Sequence, residues 1–250
     1  MAVDLRKIEQ TAPALVDLYK RAGVSLRKHG LGGERAAVYL VVDHSGSMRR
    51  YYRDGSVQAL ADRVLGLSAN LDDDGRVPVV FFSTDVDALT DIDLGGHQGS
   101  IDRIVSGLGH MGLTNYHLAM DAVIDHYLDS GATAPAFVVF QTDGGPSSRL
   151  AARRYLCKAA ALPMFWQFVG FGDPRGDQFD FLRRLDQLPV PRTRPVDNAG
   201  FFPAGRDPRR VSDDMLYDRL LGEFPSWLAA ARAQGIIRSA GPGPSGSPTP

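Results

Sequence analysis

The chain is short of the residues that staple secreted proteins and of the runs that cross membranes. Cys157 is its one cysteine in 250 residues. No disulfide can therefore form within the chain, which fits a reducing compartment. No apolar run is long enough to span a bilayer. The first ten residues are polar and charged and lack the apolar centre of a signal peptide. These absences predict a cytoplasmic protein with no membrane insertion. Charge of either sign is also not in excess: the formal net charge is −1. Nothing in that balance draws the chain to nucleic acid or to an anionic membrane. Lysine is scarce, present only at Lys7, Lys20, Lys28 and Lys158. Several catalytic signatures are missing too. There is no Gly-x-x-x-x-Gly-Lys-Ser/Thr phosphate loop and no Gly-x-Ser-x-Gly elbow around Ser45. No His-Glu-x-x-His pairing occurs among His29, His97, His110, His117 and His126.

What the chain does have is apolar content, 44 % of residues, enough for one sizeable core. Four runs, 36–43, 77–83, 135–143 and 162–171, are apolar almost without alternation. Strands buried on both faces of a parallel sheet read this way. Between them lie segments with helical spacing at 56–71, 116–129, 147–161 and 178–188. Strands alternating with helices predict an α/β fold, a doubly wound, mainly parallel sheet flanked by helices. Residues 86–92 fit a short antiparallel edge strand, and 192–198 a last strand at the other edge. Residues 211–233 read as closing helices, capped by Ser212 and broken at Pro225. The division expected is an N-terminal helical addition over 1–33, the α/β domain over 34–235, and a Gly/Pro/Ser-rich tail over 239–250. That tail composition predicts disorder.

The chemistry gathers where the first apolar run stops, at Asp43-His44-Ser45-Gly46-Ser47. Alternate side chains of extended backbone point the same way, so Asp43, Ser45 and Ser47 can converge. A carboxylate with hydroxyls is a hard oxygen set, suited to Mg²⁺, Mn²⁺ or Ca²⁺ rather than zinc or copper. Two further pieces follow in order. Thr114 precedes the helix at 116–129, and Asp143 ends the run at 135–143. Taken singly, Asp43, Ser45 and Thr114 are equally good capping residues and Asp143 a turn residue. Taken together they resemble the metal-ion-dependent adhesion site (MIDAS) of von Willebrand factor type A (vWA) domains.

That resemblance implies a Rossmann-like vWA fold and a metal site. Ser45 and Ser47 would ligate directly, and Asp43, Thr114 and Asp143 directly or through water. It also implies a coordination position filled by an Asp or Glu carboxylate of a protein partner, without catalysis. The N-terminal helices, the Arg192–Arg210 segment and the Phe-Ser-Thr-Asp-Val-Asp hairpin resemble more narrowly the bacterial TerF-like vWA proteins of tellurium resistance and stress response. A calcium-binding stress protein is the partner that this closer likeness implies.

Other signals lead elsewhere and are weaker. Gly107-Leu108-Gly109-His110-Met111-Gly112 matches a dinucleotide fingerprint, but helical spacing precedes it where a strand is required. Asp43-His44-Ser45 has the letters of a catalytic triad, yet His44 points away from its neighbours. Asp72-Asp73-Asp74 reads as a solvated turn, and Asp85, Asp87, Asp91 and Asp93 as charges guarding a sheet edge. The rival reading is a metal-dependent phosphoryl-transfer or hydrolytic enzyme. Asp-nucleophile phosphatases place a second Asp two residues on, and here that position is Ser45.

Overall fold

Residues 36–42 have no polar position, so neither face of that segment can stay in water. They form the central strand β1 (Ala37–Asp43). A computed structural model describes residues 2–190 and 192–237. The other strands are β2 (Arg76–Phe82), β3 (Val86–Asp93), β4 (Ala136–Thr142), β5 (Met164–Phe171) and β6 (Ala199–Gly205). They lie in the order β3-β2-β1-β4-β5-β6. Only the β2–β3 pair is antiparallel; the other four pairs run parallel. The predicted doubly wound sheet and its antiparallel edge strand are both present.

Ten helices are described: α1 (Leu5–Thr11), α2 (Val16–Lys28), α3 (Arg49–Arg53), α4 (Ser56–Leu71), α5 (Ser100–Val105), α6 (Tyr116–Asp129), α7 (Arg149–Ala159), α8 (Asp180–Asp186), α9 (Asp213–Leu221) and α10 (Phe224–Ala233). Strand side chains alternate between faces, so each strand feeds two cores. On one face Val38, Leu40, Val42, Phe81, Phe137 and Phe165 meet α4, α9 and α10. On the other, Tyr39, Val41, Phe82, Phe140, Trp166 and Phe168 meet α6, α7 and α8. Trp227 lies 5.6 Å from Phe165 and 5.5 Å from Phe224, ring to ring, and ties α10 to the sheet.

The N-terminal helices pack as part of the first layer. A Cβ on Gly66 of α4 would meet the backbone of Leu18 at 3.3 Å, so α2 and α4 touch closely because Gly66 has no side chain. Ser25 Oγ donates to Asp218 of α9 at 2.7 Å. Ser212 caps α9 by accepting from Met215 N–H, and Pro225 stands in the first turn of α10, where its missing donor is harmless.

One strand lies elsewhere than expected. Residues 192–198 are not a strand; the last strand is Ala199–Gly205. The side chain of Arg194 is wholly buried. It donates to the backbone carbonyls of Asp186 and Leu188, at 2.9 and 3.3 Å, and to Asn198 Oδ1 at 3.1 Å. These bonds hold the segment as a cap beneath α8. The true strand, Ala-Gly-Phe-Phe-Pro-Ala-Gly, lacks β-branched residues, and Pro203 is acceptable because β6 is an edge. The tail expected over 239–250 lies outside the described residues.

Candidate functional site

Strand order reverses between β1 and β4, which are neighbours although far apart in sequence. In such sheets the crevice outside the carboxyl ends of those strands is where ligands gather. Asp43 ends β1, and Asp143 follows directly on β4.

Asp43 is completely buried. Its Oδ1 accepts from Ser45 N–H at 2.8 Å, and its Oδ2 accepts from Thr142 Oγ1 at 2.6 Å. Ser45 Oγ lies 3.3 Å from Ser47 Oγ. Ser47 Oγ donates to Asp143 Oδ1 at 2.8 Å. The polar groups thus run from a dry floor at Asp43 to an exposed rim at Ser47. The chain turns here because Gly46–Met48 form one tight turn leading into α3. Met48 is buried beneath that turn, its sulfur 3.3 Å from Gln141 Nε2. Tyr52 of α3 donates to the Asp43 carbonyl at 2.9 Å.

The loop carrying Thr114 is clamped against the same turn. Gly46 N–H donates to Gly112 O at 3.3 Å, and Ser45 and Gly112 form an isolated parallel bridge. Thr114 N–H donates to Ser147 Oγ at 3.1 Å, and Ser147 N–H returns a bond to Thr114 O at 2.8 Å. The Thr114 hydroxyl has no hydrogen-bond partner among the described residues. Asp43, Ser45, Ser47 and Asp143 are therefore joined through their own polar groups, and Thr114 is held beside them through backbone.

His44 turns the other way, as expected of the residue between Asp43 and Ser45. Its Nδ1 lies 3.0 Å from Asp87 Oδ2, and Ser83 Oγ donates to Asp87 Oδ1 at 3.0 Å. The glycine-rich segment before Thr114 follows α5 and precedes no nucleotide-type turn from strand to helix.

Burial pushes the Asp43 carboxyl up from 3.8 to about 6. The bonds from Ser45 and Thr142 pull it down, and the charge of Asp143 raises it. Asp143 is also raised, first by burial; Ser47 and the Arg50 guanidinium oppose this. Two carboxylates with raised pKa, close together with neutral hydroxyls, form an anion-rich oxygen cluster that favours a cation. Among the described residues no three His, Cys, Asp or Glu side chains gather as a ligand cluster. The donor set is two carboxylates completed by Ser45, Ser47 and Thr114 hydroxyls. All are hard oxygens, which fits Mg²⁺, Mn²⁺ or Ca²⁺.

Several residues at the site escaped the sequence reading. Thr142 supplies a side-chain donor to Asp43 from the neighbouring strand, at 2.6 Å. The Tyr116 hydroxyl, fully buried, lies within hydrogen-bonding distance of Thr142 Oγ1 and of the Gly144 carbonyl. A signal for Thr142 existed: a polar residue at the end of a strand with no wet face needs a partner. Arg50 and Arg206, beside Asp143, had no sequence signal.

Comparison with known proteins adds the following. The vWA-TerF-like family model, described as the vWA found in the TerF C terminus, matches residues 35–237. The uncharacterized protein YcbR of Bacillus subtilis (strain 168) is 35% identical over 234 residues, covering 92% of this chain and 93% of that protein. The structure of manganese-loaded Plasmodium vivax TRAP protein aligns at 20% identity and a TM-score of 0.49, over 74% of this chain and 72% of that one. The von Willebrand factor type A structure from Catenulispora acidiphila aligns at 19% identity and a TM-score of 0.48, over 81% of this chain and 43% of that one.

Proposed function

Since this chain belongs to the vWA family, in its TerF-like branch, we propose that it is a metal-ion-dependent protein-binding module. One divalent cation, Mg²⁺ before Mn²⁺ or Ca²⁺, would be held by Asp43, Ser45, Ser47, Thr114 and Asp143. The observation that carries this is the 2.8 Å bond from Ser47 to Asp143. It joins motif pieces 96 residues apart in sequence, and the loop that carries Thr114 is clamped to the same turn through Gly112. Bound there, the cation supplies an electrophilic point at the rim, because neutral hydroxyls counter little of its charge. The chain's residues do the rest. Asp43 anchors the floor, Thr142 and Tyr116 hold Asp43 in place, and Ser47 and Asp143 define the open side. A partner's Asp or Glu carboxylate would complete the set.

Finer parts of the proposal rest on the family alone. Its TerF-like branch points to a stress or tellurium-resistance system, with a calcium-binding stress protein as candidate partner. A cytoplasmic setting suits the single thiol of Cys157. We read the site as non-catalytic, since Ser45 stands where a phosphatase of this type would need its second carboxylate. A phosphatase assay with and without Mg²⁺ tests that point; metal-dependent turnover would overturn it.

Titration calorimetry with Mg²⁺ tests the site itself. One site is expected in the wild type and none in Asp43→Ala; the same isotherm in both would refute the assignment. Partner capture is then compared for wild type, for Thr114→Ala and in chelator. Binding is expected to weaken in the latter two, and equal capture in all three would place the contact on another surface.

A further inference from the structure

Beside Ser47 and Asp143 opens a polar cleft of about 330 Å³, walled in part by Arg50, Tyr51, Asp173 and Arg206. Arg50 is fixed there by the protein's own groups. Its guanidinium carbon lies 4.2 Å from the centroid of the Tyr51 ring. One terminal nitrogen, Nη2, donates to Tyr51 Oη at 2.5 Å and to the Arg206 carbonyl at 3.0 Å. Tyr51 is buried and packs on Phe171, ring to ring at 5.1 Å. A guanidinium carries five N–H donors, and the Nη1 and Nε donors of Arg50 have no partner among the described residues. Arg206, on the loop after β6, pairs with Asp173 at 2.5 Å, and its side chain is 72% exposed.

The formal charges of the cleft cancel: Arg50 and Arg206 stand against Asp143 and Asp173. With the Asp43 carboxylate counted as well, a divalent cation at the strand-end cluster would leave one positive charge in excess. One partner carboxylate on the metal counters that charge. The unpartnered Nε and Nη1 donors of Arg50 remain on the side of the arginines, where they present directional hydrogen bonds to a second acid at no further cost in side-chain ordering.

We propose that the partner carries two acidic groups close together in its sequence, one for the metal and a second for Arg50 and Arg206. This rests on the metal-bridged contact proposed above and specifies its ligand as a doubly acidic peptide segment. The same charge count explains why contact would need metal. Without the cation the cleft and the Asp43 carboxylate together carry one net negative charge, and Asp43 and Asp143 repel an incoming acid.

The test uses the full chain with Mg²⁺ and end-blocked synthetic peptides, Asp-Asp, Asp-Gly-Asp and Asp-Gly-Gly-Asp. Each is compared with the form in which its second Asp is Asn. Binding is followed by NMR titration. At least one spacing should bind about tenfold more tightly than its single-acid form, the low end for a charge-assisted hydrogen bond. That gain should shrink in Arg206→Gln, whose exposed side chain leaves the fold undisturbed, and vanish in Arg50→Gln/Arg206→Gln. Equal binding of double- and single-acid peptides at every spacing would overturn the proposal, as would a gain that survives in the double variant. Single-acid peptides that bind equally in Mg²⁺ and in chelator would instead overturn the metal-bridged contact. Failure of every peptide to bind the loaded protein would overturn both.

Discussion

Replacing Asp43 with Asn isolates the cost of keeping a buried carboxylate ready for a cation. In the metal-free protein Asp43 titrates at about 6 instead of 3.8, chiefly because it is buried. That difference corresponds to ~3 kcal/mol. The sign follows from which state holds the proton more tightly. The folded state does, so below 3.8 Asp43 is neutral in both states and costs nothing. As pH rises through 6 the folded protein must ionise a dry group, and the cost reaches its full value above that pH. Asn avoids the cost and keeps the local geometry. Its Oδ1 can accept from Ser45 N–H, and its amide can donate to Thr142 Oγ1. The Thr142 hydroxyl can then turn to the Gly144 carbonyl, 3.2 Å away. Asp43→Asn should therefore be about 2–3 kcal/mol more stable than wild type at neutral pH in chelator. The gap should close as pH falls below 4. Urea denaturation across that range, in chelator, measures it. With Mg²⁺ at a hundred times its dissociation constant, wild type should regain ~2.7 kcal/mol and the variant nothing. An Asn variant less stable than wild type at neutral pH, or a gap that ignores pH, would refute the reasoning.

Two other substitutions probe the support around the site. Thr142→Val keeps the shape but leaves Asp43 Oδ2 without its donor. It should cost about 1–3 kcal/mol above the Asp43 pKa and less below it, which urea melts at two pH values would show; a pH-independent loss would mean a packing role only. Gly112→Ala places a Cβ 2.3 Å from Thr84 Oγ1 and 3.1 Å from Thr84 N. The loop must move, so Mg²⁺ affinity should fall more than stability, which should drop by about 1–3 kcal/mol. Unchanged calorimetry would show that the position of Thr114 does not matter to the ion.

The resting geometry explains why a site with raised carboxyl pKa values can be tolerated. Asp43 keeps two strong donors, Ser45 N–H and Thr142 Oγ1, and Asp143 keeps Ser47. Each partner limits the charge penalty without closing the rim. The rim stays polar and accessible because Ser47 is exposed, while aromatic rings of Phe82, Tyr116, Phe140 and Phe168 seal the floor beneath Thr142. A dry floor strengthens whatever electrostatic interaction forms above it.

Local sequence determined the elements that are buried on all sides. β1, β2, β4 and β5 were legible within a residue or two, because a parallel interior strand must be apolar at consecutive positions. α6 was legible at its observed bounds, because its apolar stripe and the preceding loop agree. The five residues were candidate ligands because they stand at or just beyond strand ends and before a helix, and the structure joins four of them, Asp43, Ser45, Ser47 and Asp143, through hydrogen-bond-distance contacts. Only the tertiary structure decided the rest. β6 is a strand because β5 offers it an unpaired edge, although Gly200 and Pro203 argue against it, and Arg194 occupies the segment that seemed a better strand. Thr142, Tyr116, Arg50 and Arg206 acquire their roles from neighbours far along the chain: Thr142 lies 99 residues from Asp43, and Arg50 lies 156 residues from Arg206. No local pattern encodes such a meeting. It is set by which strand ends the sheet brings side by side.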